Sequence, residues 1–366
     1  MELKKVGFFG LGLIGGSIAK KMKENHPKLE IIATASRQTT VTDAYQSGLI
    51  QNEGLLKPEA FSDCDLIFLC APVGLNLEYL EKLKTIIKPG CLITDVGSTK
   101  GDIHRKVIDL DMEESFVGGH PMTGSEKTGI RNADGSILKN AYYIITPTAK
   151  TLPATVSFFE NLVAELGSIP LVLDYDSHDH ATAAISHLPH MIAYTLVNLV
   201  KDEDDTNETL KTIAAGGFKD ITRIASSSPV MWQNICQSNK TQLLTLMDHY
   251  FEKLNSLREK IANDEQEALL EYFQTAKDYR DSIALPNSKR RSNFHEIYLD
   301  LDDKAGEIAT IATILGQNGI SIRNIGIINN REFEEGVLRI EFYDDTSNNN
   351  AVSLLTHHGY QIYKHE

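Results

Sequence analysis

Short apolar runs punctuate the first half of the chain. Residues 6–9, 31–35, 66–69, 92–95 and 116–118 are rich in strand formers, and 142–146 and 171–173 repeat the pattern. Between them, 14–24 and 77–87 space apolar residues three and four apart, as on one face of a helix. Strands alternating with helices predict a Rossmann-like, doubly wound parallel sheet over residues 1–175. The pattern changes near Asp176. From 178 to 283 the spacing is helical throughout, as in Leu243, Leu244, Met247, Tyr250, Phe251 and Leu254. An all-α domain over 176–286 follows. Wide apolar faces of this kind often pair between subunits, so a homodimer is expected. Residues 285–293 are polar and basic. They predict a linker, with Lys289, Arg290 and Arg291 solvated rather than bound to nucleic acid. Strand signals return at 296–301, 320–328, 337–343 and 360–363, with helical stretches at 306–317 and 350–357. That β-α-β-β-α-β order predicts a ferredoxin-like domain over 294–366.

Composition narrows the function classes. A net charge of -14 gives no broad field for a phosphate backbone, so nucleic acid is not an expected partner. An anionic substrate then needs a local basic pocket. Cys64, Cys70, Cys91 and Cys236 form no C-x-x-C pair, which predicts buried thiols in a reducing compartment. The first strand starts close to Met1, and no apolar run approaches the ~18 residues of a membrane span. A cytoplasmic protein with no signal peptide and no membrane partner is expected.

The chemistry concentrates in a few segments. Gly10-Leu11-Gly12-Leu13-Ile14-Gly15 is G-x-G-x-x-G between a predicted strand and a predicted helix. Gly10 permits a tight turn, Gly12 lets a pyrophosphate approach, and Gly15 lets helix and strand pack closely. The helix N-terminus then offers free N–H groups to phosphate charge. A ribose-binding acid is due about 20 residues further on. Ser36 stands there, followed by Arg37, a pair able to receive a 2′-phosphate. NAD is the expected cofactor, with NADP admitted by that pair. In such folds ligands sit outside the carboxyl ends of the strands. Two segments, 95–100 and 118–126, arrive there, and the second carries His120. An imidazole can take a hydroxyl proton near neutral pH while hydride leaves the same carbon. His187 and His190 lack carboxylate or cysteine partners at ligand spacing, so no metal is expected. Lys219 and Arg223, four apart in a segment opening with Gly216-Gly217, suggest a carboxylate pocket.

These segments together resemble the prephenate dehydrogenase family in its Gram-positive form with an appended ACT domain. The strings that carry the resemblance are GLGLIGGS at 10–17, TDVGSTKG at 94–101, GGHPMTGSEKTG at 118–129, SHLPH at 186–190 and AAGGFKDITRIASSSPVMW at 214–232. LDLDDKAGEIATIATIL at 299–315 resembles the first strand, glycine loop and helix of an ACT domain. The resemblance implies oxidative decarboxylation of prephenate to 4-hydroxyphenylpyruvate, with hydride passing to NAD(P). His120 would accept the ring-hydroxyl proton and Ser98 would bond that hydroxyl. His190 and Arg223 would hold the substrate, with Arg223 on the ring carboxylate. Lys219 would support the pocket, pairing with Asp179, and Ser125, Glu126 and Trp232 would border the substrate side chain. L-tyrosine would bind the ACT domain, framed by Asp302, Gly306, Asn324 and Ile325, and lower activity. Ser36 departs from NAD-using relatives, which usually carry Asp. Three other readings stay open: an arogenate dehydrogenase, a non-catalytic amino-acid-responsive regulator on a dinucleotide fold, and a β-hydroxyacid dehydrogenase, which the histidine loop fits poorly.

Overall fold

The computed structural model describes residues 3–124, 128–283, 295–301, 304, 306–328 and 336–363. The chain forms two compact units. One comprises Met1–Glu203 and Thr222–Pro286, the other Asp204–Ile221 and Asn287–Glu366.

The first unit opens with β1 (Lys5–Phe9), α1 (Leu13–Asn25), β2 (Glu30–Thr34), α2 (Gln38–Gln46), β3 (Leu66–Leu69), α3 (Val73–Leu83) and β4 (Leu92–Asp95). The four strands pair in parallel in the order β2-β1-β3-β4. Such a sheet is covered on both faces, which is why its strands are near-continuous apolar runs. Phe8 stacks on Phe68 at 4.9 Å within one core, while Phe9 packs against Phe61 at 4.2 Å in a second. The helix α3 begins and ends four residues ahead of the apolar spacing, because Pro72 fixes the chain just before its first turn.

The chain continues through α4 (Gly101–Asp109), β5 (Val117–Pro121), β6 (Tyr142–Pro147), α5 (Pro153–Glu165) and β7 (Ile169–Val172). A parallel bridge between Ile93 and Phe116 sets the start of β5 beside β4. Beyond that the sheet departs from the wholly parallel expectation: β5 and β6 are antiparallel, and β6 and β7 parallel. Between β5 and β6 the described chain holds only the short 3-10 turns Ile130–Asn132 and Gly135–Leu138. Parallel pairing needs a crossover, usually helical; without one, the chain returns antiparallel.

A helix then runs from Tyr175 to Glu203. It comprises α6 (Tyr175–Thr182), a π-helical turn (Ala183–His187) and α7 (Leu188–Glu203), the Leu188 N–H bonding the Ala183 carbonyl. Pro189 has no N–H to continue the α ladder, and the wider turn ahead of it accommodates that loss. By length and composition this helix would suffice to cross a bilayer, which the count of unbroken apolar residues did not anticipate. The helices α8 (Thr209–Ile213), α9 (Gly216–Thr222), α10 (Pro229–Ser238), α11 (Lys240–Ala262) and α12 (Gln266–Ser282) follow. On α11 Leu243 is buried, whereas Leu244, Phe251 and Leu254 are about half exposed.

In the second unit β8 (Glu296–Leu301), α13 (Glu307–Gln317), β9 (Ile322–Ile328), β10 (Gly336–Phe342), α14 (Asp345–His357) and β11 (Ile362–Tyr363) give the expected β-α-β-β-α-β order. The antiparallel sheet runs β11-β8-β10-β9, the ferredoxin-like arrangement. Ile297, Leu299, Leu338 and Ile340 pack with Ile311, Leu315, Ala351 and Leu355 from the helices. α14 starts five residues before the predicted 350, because the Asp344 side chain caps it through Ser347 N at 2.7 Å.

Candidate active site

The turn between β1 and α1 is shaped by its glycines. Gly10 has φ +99°, and its N–H donates to the Thr34 carbonyl at 2.8 Å. A Cβ there would lie 2.8 Å from the Cys70 carbonyl group, and one at Gly15 would lie 2.6 Å from the Gly10 oxygen. Around Gly12, by contrast, a Cβ would meet no protein atom within 4 Å. Gly12 caps α1 without a side chain over the helix end. The first amides of α1, at Leu13, Ile14 and Gly15, are thereby left for a bound anion, as a pyrophosphate requires. Leu11 is buried in the core and contributes only backbone. The sequence reading missed Gly16, whose Cβ would stand 2.4 Å from Ile130 Cδ1. Ser36 and Arg37 are exposed between β2 and α2, where a ribose-reading residue belongs. Among the described residues, Arg37 has no ion-pair partner.

His120 lies on β5, half-buried. Its Nδ1 is 2.8 Å from His178 Nε2, and His178 Nδ1 is 2.8 Å from Asp179 Oδ1. Asp179 also accepts from the backbone N–H groups of Lys100 (2.7 Å) and Gly101 (2.8 Å), at the start of α4. Carboxylate, imidazole and imidazole in series fix the tautomers. His178 donates from Nδ1 to Asp179, so in its neutral form Nε2 accepts from the Nδ1–H of His120. The lone pair of His120 is then on Nε2, as a general base requires. Burial, reinforced by His178, Lys100 and His187, holds the His120 imidazole well below the usual histidine range, and so neutral near pH 7.

Ser98 is half-buried in the turn after β4. Asp95 braces this turn by accepting from Gly97 N at 2.8 Å, and Thr99 Oγ1 donates to Ser238 Oγ at 3.0 Å. The π turn and α7 bring up the other two histidines. His190 donates from Nδ1 to the Ser186 carbonyl at 2.9 Å and stacks on Trp232 at 3.8 Å. His187 accepts from Asn239 Nδ2 at 3.2 Å, and the same amide donates to the Asp179 carbonyl at 2.8 Å. Burial pushes His187 down to about 4. Trp232 is buried, and its Nε1 has no hydrogen-bond partner among the described residues.

The structure therefore joins His120 to His178 and Asp179, and His190 to Trp232. Arg223 is exposed at the head of the 3-10 turn Arg223–Ser226, which Tyr194 ties to α7 through the Ser227 carbonyl at 2.9 Å. Arg223 has no ion pair among the described residues, and Lys219 is an exposed residue of the second unit. The Asp179 oxygens, assigned by resemblance to Lys219, accept from α4 and His178. Ser125, Glu126 and Asp302 lie outside the described residues. Gly306 caps α13 with φ +96°. Asn324 is exposed and donates to Glu341 at 3.4 Å, while Ile325 packs into the domain core.

Sequence and structure comparisons agree on one family. Residues 18–170 match the family model described as the prephenate dehydrogenase nucleotide-binding domain, and 174–275 match the prephenate dehydrogenase dimerization domain. The chain is 38% identical to a prephenate dehydrogenase of Bacillus subtilis, covering 94% of each chain. It is 34% identical to one of Lactococcus lactis, covering 93% of this chain and 94% of the relative. It also resembles the crystal structure of prephenate dehydrogenase from Aquifex aeolicus in complex with hydroxyphenyl propionate and NAD+. That likeness has a TM-score of 0.73 and 31% identity, covering 78% of this chain and 99% of the other.

Proposed function

The chain belongs to the prephenate dehydrogenase family, and on that premise we propose that it oxidatively decarboxylates prephenate with His120 as general base. The carrying observation is the Asp179–His178–His120 series, which leaves a neutral imidazole with its lone pair on Nε2. Prephenate carries a ring alcohol and two carboxylates. His120 takes the alcohol proton as hydride leaves the same carbon. The bond to the ring carboxylate breaks, its electron pair enters the ring, and CO2 departs. The ring becomes aromatic, and the proton held on His120 returns to the phenolate oxygen to give 4-hydroxyphenylpyruvate. When bound, the nicotinamide dinucleotide supplies the hydride acceptor. Ser98 donates to the reacting oxygen and holds it near the imidazole. Arg223 and His190 receive the carboxylates, with Trp232 beside them.

The open cradle at Gly12 and the uncapped start of α1 fit a dinucleotide pyrophosphate. NAD is the cofactor in this reading, with NADP admitted by Ser36 and Arg37. The half-exposed apolar residues Leu244, Phe251, Leu254 and Phe273 support a homodimer in which a second copy covers α11 and α12. Four free thiols suit the reducing cytoplasm. The C-terminal ferredoxin-like domain acts as an ACT domain, binding L-tyrosine at the Gly306 turn and the strand carrying Asn324, and lowering activity.

The test is absorbance at 340 nm with prephenate and NAD or NADP, in parallel with arogenate and with added tyrosine. Turnover of prephenate, lost in His120→Asn, is the expected result. Turnover of arogenate alone would replace the substrate, and full activity in His120→Asn would remove the base.

A further inference from the structure

Lys100 is a fully buried lysine that the reaction itself does not use. Its ammonium pairs with the Asp95 carboxylate and donates to the Gly119 carbonyl at 2.8 Å. Asp95 in turn accepts from Gly119 N at 3.2 Å and Gly97 N at 2.8 Å. The backbone N–H of Lys100 donates to Asp179 Oδ1, the atom that also meets His178. One residue thus reaches His120 by two routes. Through Gly119 it holds the backbone that carries His120. Through Asp179 it holds the imidazole that orients the ring. The glycines of β5 make the approach possible: a Cβ at Gly118 would stand 3.3 Å from Lys100 Cδ and 2.9 Å from His104 Nε2, and one at Gly119 2.7 Å from the Asp95 carbonyl.

Burying an ammonium is costly, and a packed apolar side chain can serve stability as well. Stability alone therefore does not account for a lysine here. We propose that Lys100, paired with Asp95, is a positioning residue that sets His120 for proton transfer. This rests on the reading of His120 as the base. The charged and titratable groups packed around the pair and His120 are Cys70 after β3, His104 from α4, Tyr143 from β6, His178 and Asp179 from α6, and His187 from the π turn. Burial works against the charge on Lys100, and the Asp95 carboxylate beside it sustains that charge. A proton arriving on His120 meets that charge, and removing it should ease protonation.

The decisive variant is the double substitution Asp95→Asn with Lys100→Met, which removes both charges and strands neither. The expected result is a kcat lowered at least about tenfold, with the acid limb of the kcat–pH profile displaced toward the ordinary histidine value near 6.5. KM for the dinucleotide should hold. A merely structural role would lower the yield of folded enzyme without moving that limb. A folded double variant with wild-type kcat and an unmoved limb would overturn the proposal. If the double variant does not fold, Lys100→Arg decides: it keeps the charge but not the same reach to the Gly119 carbonyl, so kcat should fall while KM for the dinucleotide holds, and wild-type kcat in folded Lys100→Arg overturns the proposal. His120→Asn keeps the two readings separate. Full activity in that variant refutes the base itself. An inactive His120→Asn beside a fully active double variant refutes only the part given to Lys100.

Discussion

His120 Nδ1 and His178 Nε2 meet at 2.8 Å, with His178 Nδ1 secured to Asp179, so the tautomer of the His120 ring is set by a neighbour 58 residues away in sequence. His178→Phe keeps a ring of similar size and removes the acceptor. kcat for prephenate should fall roughly 10²-fold while KM changes little, since the contact orients the base and does not hold substrate. Steady-state kinetics check this. A KM effect without a kcat effect would make His178 a binding residue.

Arg223 is exposed and has no ion pair within the described chain. A guanidinium reserved for a carboxylate is expected to act in binding. Arg223→Ala should raise KM for prephenate by about 10- to 100-fold, the worth of a charge-assisted hydrogen bond of 1.5–3 kcal/mol. KM for the dinucleotide should not change, and an equal rise in both constants would argue against a substrate contact.

At position 36 the choice of cofactor is open to direct test. Ser36→Asp places a carboxylate where a ribose diol would be read and a 2′-phosphate repelled. The ratio of kcat/KM for NAD over NADP should rise by at least about tenfold, or 1.4 kcal/mol. An unmoved ratio would show that the residue does not face the ribose.

Two buried histidines, His104 and His187, are pushed down to about 4, in each case chiefly by burial. In the unfolded chain they protonate near 6.5. As pH falls from 6.5 toward 4, the unfolded state takes protons that the folded state refuses, so stability declines over that window and levels off below it. The loss approaches on the order of 3 kcal/mol for each residue. Urea midpoints at pH 7.5 and pH 5 measure it. His104→Gln retains a hydrogen-bonding group for Thr146 and should show a shallower decline.

Gly306 adopts φ +96° at the start of α13. A branched side chain resists that conformation. Gly306→Val should distort the proposed tyrosine site and weaken inhibition by tyrosine while leaving turnover without tyrosine intact. Inhibition curves on wild type and variant decide it, and unchanged inhibition would direct the search to the catalytic cleft.

Local patterns made much of this architecture legible. The glycine turn could be placed because a strand, three glycines and a helix follow one another within a few residues. His120 could be placed because its strand ends at the ligand side of the sheet. The antiparallel course of β6 could not, since it depends on the connection from β5, which holds no helical crossover among the described residues, rather than on anything within β6. The link from Asp179 through His178 to His120 was hidden for a different reason. His178 and Asp179 sit in a polar helix start, and only packing against α4 and β5 shows that they back the His120 ring. A signal was present in the chain: a His-Asp pair just inside a helix, with Asp174 already available to cap it through Ser177 N at 2.8 Å. Lys100 resembled a surface lysine until the fold enclosed it. Lys219 and Arg223 are four apart in sequence but belong to different elements, since helix α9 ends at Thr222 and Arg223 opens the next turn.

The π turn at Ala183–His187 carries one more residue than an α-helical register would hold. Wound as regular α-helix with no residue removed, the same segment would turn everything downstream by about 100° around the helix axis. His190 would swing off Trp232, while His178, upstream of the turn, would keep its place. The wide turn is therefore a constraint in its own right, since a change that made it regular while sparing every side chain named above would still separate the groups proposed to bind from the one proposed to take the proton.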